Sequence, residues 1–253
     1  MRLKLIACKA LFRELSYAAA RSANAVDITW MRQGYHSHPE QLREWLQREI
    51  DAVESGEDPH TLSVEGDGDD FDAILLGYGL CSNATTGLCA RSHKLVIPWA
   101  HDCITLFLGA RQRYDTLFRE LPGCFWYTAS WIENAGMPGK PAHERQARRY
   151  REMGYDEEDI DYLIAELGGL NNYHHAAYIS MPFLDNEKYR AITRDAVDFY
   201  GWQYHDIEGS PGLLERFVAG DWDDADFLVL GPGETAVQSV GERIIKKAEA
   251  GRT

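Results

Sequence analysis

The sequence predicts an α/β protein with two Rossmann-like lobes, each built on a parallel sheet, joined by a charged helical segment. Short apolar runs typical of buried strands alternate with longer amphipathic segments typical of helices. The same order of strands and helices recurs in the second half of the chain. The stretch between the halves is rich in charge and is interrupted by glycines. We therefore place the N-terminal lobe at residues 1–135, the helical connector at 136–172 and the C-terminal lobe at 173–253.

The first lobe contains four predicted strands, and an amphipathic helix follows each of the first two. The strands are LKLIAC, VDITWM, FDAILLGYGLCSN and KLVIPWAHDC, in chain order. The first helix is ALFRELSYAAARSA, and the second is PEQLREWLQREIDAVES. Pro39 favours a helix start at the beginning of the second helix, because proline fits the first helical turn. Residues 65–70, EGDGDD, predict a turn before the third strand.

The second lobe repeats this alternation with three predicted strands, AAYISMPF, WQYHDIEG and ADFLVLGPGE. The intervening helices are NEKYRAITRDAVDFYG, which ends at Gly201, and PGLLERFVAG. By its place in the order, ADFLVLGPGE corresponds to FDAILLGYGL of the first lobe. Its terminal GPGE is therefore expected to shape the opposite wall of a cleft between the lobes.

The composition excludes several classes of protein. The formal net charge of −14 argues against a general binder of nucleic acids or anionic membranes, which would carry basic surface. No apolar stretch is long enough to span a membrane, and the N-terminus lacks the pattern of a cleaved leader. The five cysteines are an odd number, widely spaced. These features predict a cytoplasmic protein with free thiols.

The stretch IPWAHDCITLFLG contains three polar residues, His101, Asp102 and Cys103, between two apolar runs. Such groups cost free energy on burial unless they are paired or bind a ligand. Two interpretations remain open for this stretch. It is either an ordinary capped turn at a strand end, or part of a functional site.

Three cysteines follow the predicted strands of the first lobe: Cys8, Cys81 and Cys103. Carboxyl ends of parallel strands meet at one edge of a sheet, where ligands bind. Three thiolates there would hold a [4Fe–4S] cluster with one open iron, or alternatively zinc. His101 would be a fourth ligand or, with Asp102, a catalytic proton carrier. Core packing remains open for each cysteine, and Cys89 and Cys124 are predicted core residues.

Two segments offer groups for binding a substrate. GYGLCSN forms a glycine-bearing turn before a predicted helix, whose backbone N–H groups would bind an anion, with Ser82 or Asn83 as the cap. A second segment, GGLNNYHH, precedes the first strand of the second lobe and supplies amide and phenol groups. The predicted substrate-binding residues are Gly77, Tyr78, Gly79, Ser82, Asn83, Asn171, Asn172 and Tyr173.

The chain resembles the domain-of-unknown-function family 1638 (DUF1638). The resemblance is carried by LIACKALFREL, GYGLCSN, VIPWAHDCITLFLG, PGCFWYTASWIE, GGLNNYHHAAYI and FLVLGPGE. The family pattern has cysteine at Cys8, Cys81 and Cys103, with a His-Asp pair before the last. Lys9 stands where the family commonly has glycine, and Trp99 where it often has arginine, which implies a different anion preference.

The resemblance also implies a chemical setting. Family members occur mostly in anaerobic bacteria and archaea, often beside corrinoid methyl-transfer systems, which implies oxygen-sensitive or one-carbon chemistry. A corrinoid protein or a methyltransferase is the partner this implies. One cysteine in each strand-end loop of repeated lobes is also similar to the architecture of quinolinate synthase.

Four hypotheses of function follow. The first is a metal-dependent lyase or transferase whose cluster acts as a Lewis acid on a small polar substrate between the lobes. The second is a zinc-thiolate enzyme for methyl transfer. The third is a corrinoid- or metal-binding accessory protein without activity of its own. The fourth is a metal-free anion site on GYGLCSN and GPGE. Homo-oligomerisation is left open.

Overall fold

The structure is a computed structural model that describes residues 1–60, 71–239 and 245–248. The chain is a mixed α/β protein with mainly parallel sheets. It divides into two compact units: Met1–Arg111 together with Pro211–Thr253, and Gln112–Ser210. The turn predicted at residues 65–70 lies outside the described residues.

The elements alternate along the chain much as the sequence predicts. In the described residues the strands are β1 (Arg2–Cys8), β2 (Ala25–Met31), β3 (Ala73–Gly77), β4 (Lys94–Pro98), β5 (Cys124–Tyr127), β6 (His175–Ser180), β7 (Gln203–Glu208), β8 (Phe227–Leu230), β9 (Ala236–Gln238) and β10 (Ile245–Lys247). The α-helices are α1 (Phe12–Arg21), α2 (Pro39–Glu54), α3 (Cys103–Leu108), α4 (Arg111–Glu120), α5 (Ala129–Asn134), α6 (Lys140–Glu152), α7 (Glu157–Leu167), α8 (Glu187–Tyr200) and α9 (Gly212–Ala219). None of these described helices is long and apolar enough to cross a membrane.

The first unit is built on a five-stranded sheet in the order β2-β1-β3-β4-β8. Its first four strands are parallel, and β8 runs antiparallel to β4. The central strands β1 and β3 are almost wholly buried, as expected for a parallel sheet with helices on its faces.

Helix α2 covers one face of this sheet. Its buried side chains, Leu42, Leu46, Ile50 and Val53, recur at helical spacing and pack against strand residues such as Ile6. Pro39 lies in the first turn of α2, where the sequence predicts the helix to start. The apolar spacing of this segment therefore predicts both the helix and the face it buries.

The second unit contains a three-stranded parallel sheet in the order β5-β6-β7. Helix α8 packs against it through Tyr189, Ala196 and Val197. Helices α6 and α7 occupy most of the predicted charged connector. The chain turns between them at Gly154, whose φ of 89° favours glycine. By its contacts this helical segment belongs to the second unit.

The two units differ from the predicted domains, which are a first lobe at residues 1–135, a connector at 136–172 and a second lobe at 173–253. Strand β5 belongs to the second unit, and β8 completes the sheet of the first through pairs such as Leu95 with Leu230. ADFLVLGPGE is therefore not the counterpart of FDAILLGYGL within a second lobe. The GPGE loop also belongs to the first unit, where the Gly233 N–H donates to the Ala90 carbonyl over 2.8 Å. The local pattern of apolar residues predicts that a segment forms a strand, but it does not predict which other strand pairs with it.

The helix expected after GYGLCSN is absent. The segment that follows β3 is a series of turns up to Gly87, and Cys89 then forms an isolated β-bridge with Thr235. Ser82 and Asn83 accordingly cap no helix. They have left-handed backbone conformations, which end regular structure instead of starting it.

Candidate functional site

The candidate site lies at the switch point of the first sheet, where neighbouring strands of β1 lead towards opposite edges of the sheet. Strand β2 lies on one side of β1 and β3 on the other. In open parallel sheets, ligands bind beyond the carboxyl ends of the two strands that flank such a switch point. Cys8 is the last residue of β1, and Tyr78 directly follows β3. Both residues are therefore at the edge where a ligand is expected.

Two loops at this edge are in direct backbone contact. The Leu80 N–H donates to the Ala100 carbonyl over 2.7 Å, and the Cys81 N–H donates to the His101 carbonyl over 3.2 Å. Gly79 permits this approach, because a Cβ at that position would lie 2.9 Å from the Ala100 oxygen. The contact brings the Cys81 loop onto the segment that leads into Cys103.

The Cys81 loop has an unusual backbone. Cys81, Ser82 and Asn83 have φ values of 45°, 58° and 69°, a left-handed run without any glycine. Such conformations cost about 1–2 kcal/mol per residue for L-amino acids. The Arg43 guanidinium supports the run by donating to the Asn83 carbonyl over 2.9 Å. Strain of this kind is concentrated at functional sites, where the surrounding structure maintains it.

Three half-buried free thiols, those of Cys8, Cys81 and Cys103, influence the pKa of the Tyr78 phenol. Burial, and then the proximity of Cys8, Cys81 and Cys103, raise the pKa of Tyr78 well above its ordinary value. Burial, followed by the Cys8 and Asp102 charges, raises the pKa of Cys81 to about 12. The pKa values of Cys8 and Cys103 are also raised, chiefly by burial. Without a cation these thiols are therefore protonated and weakly nucleophilic at neutral pH.

The thiols are not arranged around a single ion. Within the described residues, three potential metal ligands have donor atoms that all lie within 4.8 Å of one another, and they are Glu49, Asp58 and His60. The three cysteines do not meet this distance. Thiolates on one zinc ion are about 3.8 Å apart, given a Zn–S bond of about 2.3 Å. A multinuclear cluster, with each thiolate on a different iron, requires a wider separation.

His101 and Asp102 have different environments. The His101 side chain is exposed at the rim of the site. Asp102 is the N-cap of α3, and its Oδ1 accepts a hydrogen bond from the Ile104 N–H over 2.9 Å. The sequence left open whether this stretch is a capped turn or part of a functional site, and for Asp102 the structure shows the cap. This cap fixes the start of α3, the helix that carries Cys103.

Several buried polar atoms at this edge have no hydrogen-bond partner within the described part of the chain. They include the Tyr78 hydroxyl, Asn83 Oδ1 and the Thr85 hydroxyl. Tyr78 lies beside the Cys8 thiol, but the two groups lack good hydrogen-bond geometry. Buried polar groups are normally paired, so water or a polar ligand is expected beside these atoms. Thr85 escaped the sequence analysis, because a threonine after a turn carries no distinguishing signal.

The other predicted substrate-binding residues belong to the second unit. Asn171 and Tyr173 line a pocket of about 390 Å³ together with Trp202. In the same pocket, His143 Nε2 is 3.1 Å from Asp161 Oδ1. Asn172 does not line it: its amide donates to the Gly169 carbonyl over 3.4 Å. The predicted substrate-binding residues are thus divided between two units. Cys124 is buried, as predicted, and Cys89 is half-buried.

Comparison with known proteins gives one family. The family model described as "Protein of unknown function (DUF1638)" matches residues 30–218. The matched range includes Cys81 and Cys103 and begins after Cys8. Neither the curated proteins nor the solved structures give a match.

Proposed function

Since the chain belongs to a family of proteins of unknown function, DUF1638, we propose its function from the cysteine site alone. We propose a cytoplasmic, metal-dependent enzyme of the lyase or transferase class. In this proposal Cys8, Cys81 and Cys103 bind a [4Fe–4S] cluster and leave one iron open to a small polar substrate. We further propose that each unit is a variant of a Rossmann-like lobe, which the parallel order of β2-β1-β3-β4 and of β5-β6-β7 supports.

The observation that carries the proposal is that three free thiols, at the end of β1, in the turn after β3 and at the start of α3, all influence the pKa of Tyr78. Thiols are soft ligands that favour iron–sulfur clusters, zinc or copper(I) over magnesium or calcium. In the described residues their sulfur atoms are not all within 4.8 Å of one another, which argues against one zinc ion bound by all three. The position at the switch point of the sheet supports a role in ligand binding.

The chain's own side chains have separable tasks in this proposal. When bound, the cluster would supply a Lewis acid at the carboxyl edge of the sheet. The buried Tyr78 hydroxyl donates a hydrogen bond to a substrate oxygen, and Asn83 Oδ1 accepts one from a substrate N–H or O–H. His101, exposed at the rim, exchanges protons with solvent. Asp102 acts as a positioning residue, because its cap fixes the start of α3.

The experiment is iron, sulfide and zinc analysis with visible and electron paramagnetic resonance spectra, on protein purified without oxygen. We expect about four iron and four sulfide per chain. The single variants Cys8→Ala, Cys81→Ala and Cys103→Ala should each lose or degrade the cluster. Cys89→Ala and Cys124→Ala are matched controls that remove a thiol elsewhere and should keep it.

Other results would overturn the cluster. Zinc lost in the same three variants would favour the thiolate enzyme for methyl transfer. Cobamide binding without metal at the thiols would favour the accessory protein. Normal folding with neither metal nor cobamide in the wild-type protein would leave the cysteines as packing residues.

A further inference from the structure

A second polar cluster lies in the first unit, away from the three thiols in sequence and different in chemistry. Glu49 is on α2, and Asp58 and His60 are in the segment that follows this helix. One donor atom from each of these side chains lies within 4.8 Å of the other two. The spacing of these three residues in the sequence matches no metal-binding motif, because it is the path of the chain after α2 that brings them close together.

A buried lysine fixes the central member of this cluster. Lys4 lies on β1 with a fully buried side chain, and its ammonium forms ion pairs with Asp58 Oδ2 and Asp27 Oδ1. The other oxygen of Asp58, Oδ1, accepts the His60 backbone N–H over 3.0 Å. The Asp58 side chain is 5% exposed. Its carboxylate is therefore held in one orientation, with His60 next to it.

An independent observation points to a ligand here. Thr29, on β2, lines a pocket of about 340 Å³ together with Glu49 and His60. Thr29 is only 3% exposed, and its hydroxyl oxygen has no hydrogen-bond partner in the described residues. A buried hydroxyl without a partner costs about 1–3 kcal/mol. A polar or ionic ligand in this pocket would remove that cost.

The charges of the cluster favour a cation. The Lys4 ammonium is shared by the carboxylates of Asp27 and Asp58. Glu49 Oε2 lies 3.8 Å from His60 Nε2. Two arginines line the same pocket, but within the described chain neither forms an ion pair with Glu49. Two carboxylates, Glu49 and Asp58, thus lie close to one imidazole, a donor set typical of divalent-cation sites.

We propose that Glu49, Asp58 and His60 form a binding site for a divalent cation such as Mn²⁺. Two carboxylates and one imidazole suit harder ions than the thiols do, so the two sites would select different metals. Three protein ligands leave coordination positions open, as in sites that bind water or substrate. Two of the three ligands, Glu49 and His60, line the pocket that Thr29 also lines. The proposal does not depend on the function proposed for the cysteines.

The test is calorimetric titration of the whole chain with Mn²⁺. We expect one saturable site in the wild-type protein. Glu49→Gln and His60→Ala should weaken binding by at least about tenfold, a loss typical of damaged metal sites. Glu44→Gln, on the exposed side of the same helix, and His38→Ala, at an exposed position, are matched controls that should bind normally. Asp58 is left unchanged because its loss would also remove an ion pair of the buried Lys4.

Three outcomes contradict the proposal. They are the lack of a saturable Mn²⁺ site in the wild-type protein, unchanged affinity in Glu49→Gln and His60→Ala, and loss of the Mn²⁺ site in Cys81→Ala. The last outcome would assign the ion to the thiols. Far-ultraviolet circular dichroism and thermal unfolding of each variant ensure that a lost site does not reflect a lost fold.

Discussion

The Asp102 carboxylate accepts a hydrogen bond from the Ile104 backbone N–H over 2.9 Å, and this contact begins the helix that carries Cys103. The relationship gives a structural role to one member of the polar triplet that interrupts an apolar stretch. The three neighbouring residues have different environments: His101 is exposed, Asp102 caps α3, and the Cys103 thiol has a pKa that burial and nearby charges raise. Their proximity in sequence therefore does not imply a single catalytic unit.

Replacing the cap tests this assignment. Asp102→Ala should lower the free energy of unfolding by about 1 kcal/mol, because the Ile104 N–H loses its acceptor. Asp102→Asn keeps a side-chain oxygen and should remain close to the wild type. Urea unfolding measures both. Equal losses in the two variants would mean that the charge of Asp102, and not its capping bond, is what matters.

The close approach at Gly79 gives a second prediction. In Gly79→Ala, the new Cβ would lie 2.9 Å from the Ala100 carbonyl oxygen and from the Asp102 backbone. These are backbone atoms, so the two loops must separate, at a cost of about 1–3 kcal/mol. Thermal unfolding should show a clearly lower midpoint. Gly136→Ala is the control, since its Cβ would meet nothing within 4 Å; similar losses in both variants would contradict the contact.

The left-handed run predicts opposite effects for two substitutions at one exposed position. Ser82→Gly should be neutral or slightly stabilising, because glycine adopts a φ of 58° without steric cost but loses more chain entropy. Ser82→Val should destabilise by about 1–3 kcal/mol, since a β-branched residue is strongly disfavoured there. Chemical denaturation of both variants is the measurement. A valine variant as stable as the glycine variant would show that the run is not left-handed in solution.

Glu54 predicts a specific dependence on pH. Burial alone would raise its pKa, but hydrogen bonds from the Arg91 and Ser92 backbone, the Ser92 hydroxyl and His93 lower it from 4.5 to about 2. Because the folded-state pKa is the lower one, this stabilisation is complete above pH 4.5 and is lost as pH falls towards 2.

The corresponding variant is Glu54→Gln. It should lower the free energy of unfolding at pH 7 by about 2 kcal/mol, as expected for hydrogen bonds to a charged group. The difference from the wild type should shrink on acidification from pH 4.5 to 2. Glu57→Gln, at an exposed position three residues further on, should show neither effect. A difference that does not vary with pH would exclude the carboxylate as its origin.

The sequence predicts the features of the fold that depend on neighbouring residues better than those that depend on contacts between distant parts of the chain. The strand LKLIAC and the helix from Pro39 were predicted almost residue for residue, because local apolar spacing determines both. The pairing of β8 with β4 was not predicted, since a strand's neighbour depends on contacts far away in the chain. The left-handed run at Cys81 also gave no signal, because none of its residues is glycine.

The candidate site shows the same limit. Cys8, Cys81 and Cys103 are predicted at one edge of the sheet, and all three thiols influence the pKa of Tyr78, which directly follows β3. The cluster of Glu49, Asp58 and His60 was missed, although a lysine inside LKLIAC was a clue to buried carboxylates nearby. Carboxylates and histidines at irregular spacing carry no pattern until the fold brings them together.

The return of β8 to the first sheet has a consequence for synthesis on the ribosome. Strand β4 ends at Pro98, but the strand that covers its edge starts only at Phe227. At about 5–20 residues per second, translation of the intervening chain takes on the order of ten seconds. During that interval the nascent chain exposes an unpaired apolar strand edge, the feature that promotes aggregation. Slow translation or truncation within residues 112–226 should therefore increase the demand for chaperones.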